Sequence, residues 1–330
     1  MDREVVENGE QERNGKDAAL GRRLEKLRRD FGPTFLAALN DPQTIEILLN
    51  ADGTLWQETL CGEMEIIGHM SAARAEAVLR TIAACLNTVI TWDQPMLEGE
   101  LPLDGSRFAG QLPPIVSAPT FAVRKRASSV FTLDQYVEQK IMTPEQKQTL
   151  RSAIREHENI LVIGSTGSGK TTLTNGLIHE MTCLCPHERI IIIEDTGEIQ
   201  CAARNALLYH TTAEVTMAKL LRTSLRMRPD RILAGDVRGP EALDLLVAWN
   251  TGHPGGIATL HANTASSGLT RLASLISTAR DYPKPIAPLI GEAVDLIVHI
   301  AKENNSRKIK QILRVTCYNT QTNSYDISSL

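Results

Sequence analysis

Aromatic side chains are scarce in this sequence, 4% of 330 residues, and long apolar runs are scarcer. No window approaches the ~18 unbroken apolar residues a membrane span needs. No apolar stretch follows a basic start, so a secretory signal is not expected. A cationic surplus is also missing: 35 Lys and Arg against 39 Asp and Glu leave a formal charge of -4. Domains that grip DNA or RNA carry such a surplus, so direct sequence-specific nucleic-acid binding is not expected. Zinc-type cysteine pairs are lacking too. The six cysteines, Cys61, Cys85, Cys183, Cys185, Cys201 and Cys317, include no C-x-x-C pair. Cys183 and Cys185 sit too close together for a zinc knuckle or a relaxed disulfide. Buried reduced thiols in a cytoplasmic protein are the reading that remains.

What is present is ordinary globular composition, 42% hydrophobic and 22% charged, in a chain too long for one compact core. Residues 1–17 are polar and are expected to form a disordered tail. Leu20, Leu24, Leu27 and Phe31 then make one apolar stripe, surrounded by Arg22, Arg23, Lys26, Arg28 and Arg29. This basic amphipathic helix has three uses open to it: an anionic membrane surface, a partner, or its own domain. Two short strands are expected between Ile45 and Glu58, about an Asn50-Ala51-Asp52-Gly53 turn. A helix follows over 71–87, capped by Ser71, with Ala75, Leu79, Ile82 and Leu86 on one face. Two more strands flank Asp104-Gly105. Residues 18–126 therefore read as a small N-terminal α+β domain, and 127–142 as a linker.

From residue 143 to 330 the pattern changes. Thr143, Pro144 and Gln146 form a capping box at a helix start. Ile160–Ile163, Ile190–Ile193, Arg231–Ala234 and Gly256–Leu260 are continuous apolar strands separated by helices. That alternation predicts a mainly parallel sheet covered on both faces, an α/β domain of RecA-like type. Pro240-Glu241 opens a helix that stops at Gly252, and Leu269, Leu272 and Ile276 stripe another. Strands at 294–300 and 309–317 are expected to join through Asn304-Asn305.

Gly164-Ser165-Thr166-Gly167-Ser168-Gly169-Lys170-Thr171-Thr172 matches the phosphate-binding loop G-x-x-x-x-G-K-[ST], with a strand before it and a helix after. Glycines let the backbone wrap closely round phosphate oxygens, and successive N–H groups with the helix N-terminus face the anion. Lys170 is placed for the β- and γ-phosphates, and the Thr171 hydroxyl for Mg²⁺. This loop alone does not separate ATPases, GTPases and small-molecule kinases. The acids add to it. Strand 190–193 runs into Glu194-Asp195 with Glu198 a turn on, and strand 231–234 runs into Gly235-Asp236. Ligands sit beyond the carboxyl ends of parallel strands, so both acidic sites face the phosphates. One acid can hold the Mg²⁺ shell, Asp236 through water, while another orients or deprotonates the attacking water. His261 ends the fourth strand at the same edge and reads as a γ-phosphate sensor. His253 is either a loop residue or part of the same site.

These motifs closely resemble the secretion ATPase superfamily of type II and type IV secretion and pilus machines, and within it the TrbB-type conjugal transfer ATPases. The P-loop, Ile193–Glu198, Arg226–Gly235 with its acid, and Thr259–Asn263 match in order, and Leu103–Phe108 with Leu112–Pro114 extend the likeness into the first domain. The resemblance implies an ATP- and Mg²⁺-dependent motor, a hexameric ring of identical subunits, and partners in the secretion or conjugation machinery at the inner membrane. It also implies that ATP lies between the two domains and that N-terminal arginines reach it. Arg107 and Arg124 occupy the matching stretches, where they could neutralise transition-state charge or serve as surface ion-pair residues. Arg238 is a further candidate for an ion pair or a subunit contact.

Two departures stand out. Position 236 is aspartate where the family usually carries glutamate, which predicts intact binding and slower hydrolysis. Pro254 replaces an acid expected after His253. The missing cysteine pairs favour the conjugation-like branch over a pilus or type II secretion ATPase. An ATP-binding scaffold with weak hydrolysis is the other reading kept, while a kinase would need an acceptor lid that the sequence does not display.

Overall fold

The computed structural model describes residues 18–330 apart from 60–63, 126–129, 213 and 304–305. The tail expected over 1–17, Cys61 and the Asn304-Asn305 turn lie outside the described residues. The chain divides into two compact units, Met1–Ser128 and Ser129–Leu330.

The first unit runs α1 (Asp2–Asn40), β1 (Thr44–Leu49), β2 (Thr54–Thr59), β3 (Met64–His69), α2 (Ala72–Cys85), β4 (Met96–Glu100), β5 (Arg107–Gln111) and β6 (Thr120–Arg124). Its strands form one antiparallel sheet in the order β3-β2-β1-β6-β5-β4. The hairpins β1–β2 and β4–β5 fall where the turn residues predict them. β3 and β6 do not announce themselves. β3 is an edge strand with no fully buried side chain, and so no apolar alternation. β6 is short, follows Pro119 and ends at Arg124, just before the stretch read as a linker.

Aromatic scarcity is offset by concentration. Phe31 and Phe35 stack at 3.8 Å, and Phe121 meets both edge-on at 5.8 and 5.9 Å. Leu27, Phe31 and Phe35 of α1 share this core with Val78, Leu79 and Ile82 of α2. Of the stripe on the basic helix, Leu27 and Phe31 are buried in its own domain, Leu24 is partly buried and Leu20 is exposed. α1 breaks at Gly32 (φ 74°) just before Pro33. Arg74 of α2 donates to the Asp30 carbonyl and, at 3.0 Å, to that of Arg29, supplying partners that the break removes.

The second unit runs α3 (Leu133–Glu138), α4 (Pro144–Arg155), β7 (Ile160–Gly164), α5 (Lys170–Leu184), β8 (Ile190–Glu194), β9 (Ala206–His210), α6 (Met217–Ser224), β10 (Arg231–Val237), α7 (Glu241–Asn250), β11 (Ile257–His261), α8 (Ala265–Ile276), α9 (Ala287–Ala293), β12 (Leu296–Glu303), β13 (Ser306–Asn319) and β14 (Ser324–Ser329). The sheet order is β14-β13-β12-β7-β11-β10-β8-β9. Strands from β12 to β9 are parallel, and β13 and β14 add an antiparallel edge. Along β7, Leu161 and Ile163 face one core while Ile160 and Val162 face another. Both faces are buried, which is why these strands read as continuous apolar runs.

The Thr143–Gln146 capping box forms as expected, with Gln146 N donating to Thr143 Oγ1 at 3.2 Å and Thr143 N to Gln146 Oε1 at 3.0 Å. A second box, Thr132 with Gln135, starts α3 inside the stretch read as a linker. Leu133 and Tyr136 of that helix are buried against α5's core, so packing in this unit begins before residue 143. β9 escaped the sequence reading because its residues are half-exposed, without a buried-strand signature.

Candidate active site

Four parallel strands deliver their carboxyl ends to one edge. β7 ends at Gly164, β8 at Glu194, β10 just past Asp236 and β11 at His261. His261 lies directly beside Gly164 in the ladder. A register shift on β10 between Ala234 and Asp236 marks a bulge at Gly235. Bulges re-aim side chains, and here the residue re-aimed is the acid.

The P-loop turns through Gly167 (φ 71°) and Gly169 (φ 97°), both in the left-handed region open to glycine. A Cβ at Gly164 would collide with the Ile300 carbonyl and with Ser168 Oγ. Gly169 caps α5, whose first residue is Lys170. The Lys170 side chain is buried, and its Nζ donates to the carbonyls of Gly164 (3.0 Å) and Ser165 (3.1 Å) and to His261 Nδ1 (3.3 Å). An ammonium can only donate, so His261 Nδ1 accepts and the ring proton sits on Nε2. That nitrogen faces Asp236 Oδ2 at 3.0 Å. Arg238 Nε donates to the same oxygen at 2.8 Å. The result is one row: Lys170, His261, Asp236, Arg238.

The acidic box is held separately. Glu194 is buried, and its Oε2 accepts the backbone N–H groups of Glu198 (2.9 Å) and Ile199 (3.0 Å). One of its oxygens is thus spent on shaping the loop. The loop presents Glu198, whose Oε2 accepts from Thr171 Oγ1 at 3.4 Å. Asp195 Oδ1 accepts from Thr211 Oγ1 at 2.9 Å, and its Oδ2 lies 4.0 Å from Arg238 Nη1. Asn175, one helical turn past Thr171, donates to the Glu198 carbonyl (3.1 Å) and accepts from Gln200 N (3.0 Å).

The structure thus brings together Lys170, Thr171, Glu194, Glu198, Asp236 and His261. His253 is not with them. It precedes β11, at the opposite end of the strand from His261, and its Nδ1 approaches the Pro229 carbonyl at 3.1 Å. Of its two readings, this position supports the loop residue. Arg107 and Arg124 belong to the first unit, directly opposite each other on β5 and β6, with Glu46 of β1 opposite Arg124. Burial raises the Glu46 carboxyl above its ordinary value, Arg124 pulls it down, Glu58 adds to the rise and Arg107 opposes it. Sequence reasoning missed Asn175 and Thr211, since helical and strand-end polar residues carry no pattern of their own.

The residues fit a nucleotide with Mg²⁺. The loop is a cradle that a single Cβ would obstruct, and Asp236 Oδ1 is buried with no hydrogen-bond partner among the described residues. The donors on offer are oxygens, as a hard cation requires. Among the described residues no group of three or more His, Cys, Asp or Glu side chains could hold a metal. Mg²⁺ would then depend on phosphate and water for most of its ligands, which is its habit.

Fold and site together define a P-loop nucleoside triphosphatase with a RecA-like sheet and an antiparallel N-terminal domain. The chain belongs to the Type II/IV secretion system protein family, which it matches over residues 78–326, and within that family to the conjugal-transfer branch of type IV secretion ATPases. It is 47% identical over 294 residues to the probable conjugal transfer protein TrbB of Sinorhizobium fredii, covering 89% of this chain and 90% of that one. It is 46% identical over 297 residues to the conjugal transfer protein TrbB of Rhizobium radiobacter, covering 90% and 91%. Its fold is similar to that of the Legionella pneumophila ATPase DotB, with a TM-score of 0.60 at 18% identity, over 83% of this chain and 77% of that one. Among the described residues no helix is long and apolar enough to cross a membrane.

Proposed function

We propose that this chain hydrolyses ATP to ADP and phosphate as the motor subunit of a conjugal-transfer machine, energising pilus assembly or substrate transfer. The observation that carries the reading is the hydrogen-bonded row from Lys170 through His261 to Asp236, which joins the start of α5 to the ends of β11 and β10 beside the P-loop.

In this reading the loop amides of residues 164–172 and Lys170 bind the triphosphate. Thr171, and Asp236 through water, would hold Mg²⁺, which supplies neutralisation of charge on the β- and γ-oxygens. Glu194 shapes the acidic loop and Glu198 presents a carboxylate beside Thr171, positioned to orient or deprotonate water. His261 touches both the phosphate-binding lysine and Asp236, so a change at the γ-phosphate position reaches it directly. Arg107 and Arg124 supply positive charge to the transition state. The subunits form a homo-hexameric ring in the cytoplasm, held peripherally at the inner membrane by other conjugation components.

The test is phosphate release by purified protein in Mg²⁺ buffer without any acceptor, read beside its size with and without ATP. Acceptor-independent release that Lys170→Ala abolishes supports the motor. Failure to retain adenine nucleotide, or unchanged retention in Lys170→Ala, sinks it. A second reading, an ATP-binding scaffold with weak hydrolysis, draws on the short side chain at Asp236. A ring that assembles with nucleotide yet releases no phosphate would favour it.

A further inference from the structure

The groups near the phosphate-binding lysine that carry reactive chemistry come from β11, β10 and β8, all on one side of β7; β12 and β13 flank the other side. β12 runs alongside β7 as far as the His299–Ile163 pair and then continues past the P-loop towards Glu303, returning as β13. On this hairpin Lys302 and Arg307 stand directly opposite each other. Directly opposed residues of an antiparallel pair share a face, and two cations so placed repel.

Arg307 also lies against the loop itself. A Cβ built at Gly169 would meet Arg307 Cδ at 2.9 Å and Nε at 3.2 Å. The Nε is buried and has no hydrogen-bond partner among the described residues. Gly169 caps the N-terminus of the 15-residue α5. A guanidinium there sits at the positive end of a helix dipole, an unfavourable place unless an anion shares it. A buried donor without an acceptor adds to that cost. A phosphate in the loop would offset the helix dipole and offer the guanidinium an acceptor.

We infer that Arg307 is a nucleotide-positioning residue, contacting a non-transferred phosphate of the nucleotide from the β12–β13 side of the P-loop. The inference rests on the proposed ATP site and assigns its second wall. Lys170 and His261 govern the transferred end, and Arg307 holds the end that stays behind after hydrolysis. The same arrangement gives Gly169 a second reason to be glycine, because any side chain there would displace the arginine stem.

Equilibrium binding of ADP separates this role from catalysis, since ADP lacks the transferred phosphate. Full-length wild type, Arg307→Met, Arg307→Lys and Gly169→Ala are compared, with thermal melting as the control for folding. Methionine keeps the stem without the charge. The expected result is ADP binding weakened about tenfold in Arg307→Met, with less loss in Arg307→Lys. The KM for ATP should rise with it while kcat stays within about twofold, as for an interaction made equally before and during the reaction. ADP affinity in Arg307→Met equal to wild type would overturn the inference, leaving Arg307 a packing residue. So would equal loss in the Met and Lys variants accompanied by a lowered melting temperature. Should Gly169→Ala fail to fold, the two Arg307 variants decide alone. If wild type itself binds no ADP, the proposed ATP site fails, and this inference with it.

Discussion

His261 Nε2 stands 3.0 Å from Asp236 Oδ2 while its Nδ1 accepts from Lys170. One imidazole thus joins the P-loop lysine on α5 to the acid on β10, and only the tautomer with its proton on Nε2 satisfies both.

That bridge predicts a split phenotype. His261→Ala should retain ADP binding within a few-fold, because the loop amides and Lys170 persist. Phosphate release should fall on the order of 10²-fold, the usual cost of removing one preorganised polar group from a reacting centre. Paired ADP-binding and phosphate-release measurements check it, and equal loss in both would reduce His261 to a residue that holds Lys170 in place.

Asp236 sits one methylene behind the position a glutamate carboxylate would take. Misplacement of about 1 Å can cost on the order of 10²-fold in rate, and Asp236→Glu should recover about tenfold in turnover without changing ADP affinity. The opposing pull is the Oδ2 contact shared by His261 and Arg238. If turnover stays flat or drops, that contact matters more than reach.

Arg107 and Arg124 form a row with Glu46 across β5, β6 and β1. If the arginines act on the transition state, Arg107→Ala and Arg124→Ala should each lower kcat on the order of 10³-fold at nearly unchanged melting temperature. A lowered melting temperature with normal turnover would assign them to the Glu46 row instead.

Away from the site, Arg231 is fully buried at the start of β10, paired with Glu188 and donating to the carbonyls of Ile154 (2.8 Å) and Gly255 (3.1 Å). Without Arg231, the only ion-pair contact left to Glu188 among the described residues is with His157 Nε2 at 2.7 Å. Arg231→Met should cost about 3 kcal/mol, measured as a lower denaturant midpoint, and Glu188→Leu in the same chain should recover part of the loss.

Asp295 gives a pH signature. Burial raises its carboxyl above the ordinary 3.8, the Asn159 N–H bond opposes this, Glu158 adds to the rise and Arg314 counters it. The native state then holds this proton more tightly than the unfolded chain, so stability falls as pH rises from the unfolded value through the folded one. Asp295→Asn keeps an acceptor for Asn159 N (2.7 Å) and removes the titration. Its stability relative to wild type should improve as pH rises through that window, and unfolding curves across acid pH would reveal the opposite sign if burial is not the controlling cause.

Much of this was legible in the linear text because the chemistry is local. Residues 164–172 carry their own signature, and Glu194, Asp236 and His261 follow apolar strands whose carboxyl ends must share an edge once the sheet is parallel. The capping box at Thr143 is equally local. Arg307 was not legible: it is more than a hundred residues from Gly169, and only the placement of β12 beside β7 brings them together. β3 and β6 were hidden by the opposite problem, short strands without an alternating buried face. His253 could be left only as an open alternative, since motif spacing does not say at which end of β11 a residue lies.

Asn175 holds the Glu198 carbonyl with one end of its amide and Gln200 N with the other. It rides on α5, the helix whose first turn carries Lys170 and Thr171. The acidic loop is therefore tied on one side to the helix that carries the P-loop lysine and on the other, through Glu194, to the end of β8. With the Thr171 hydroxyl on Glu198 as a further tie, the helix and the loop meet through one amide and one hydroxyl, so a shift of either would be felt by the other.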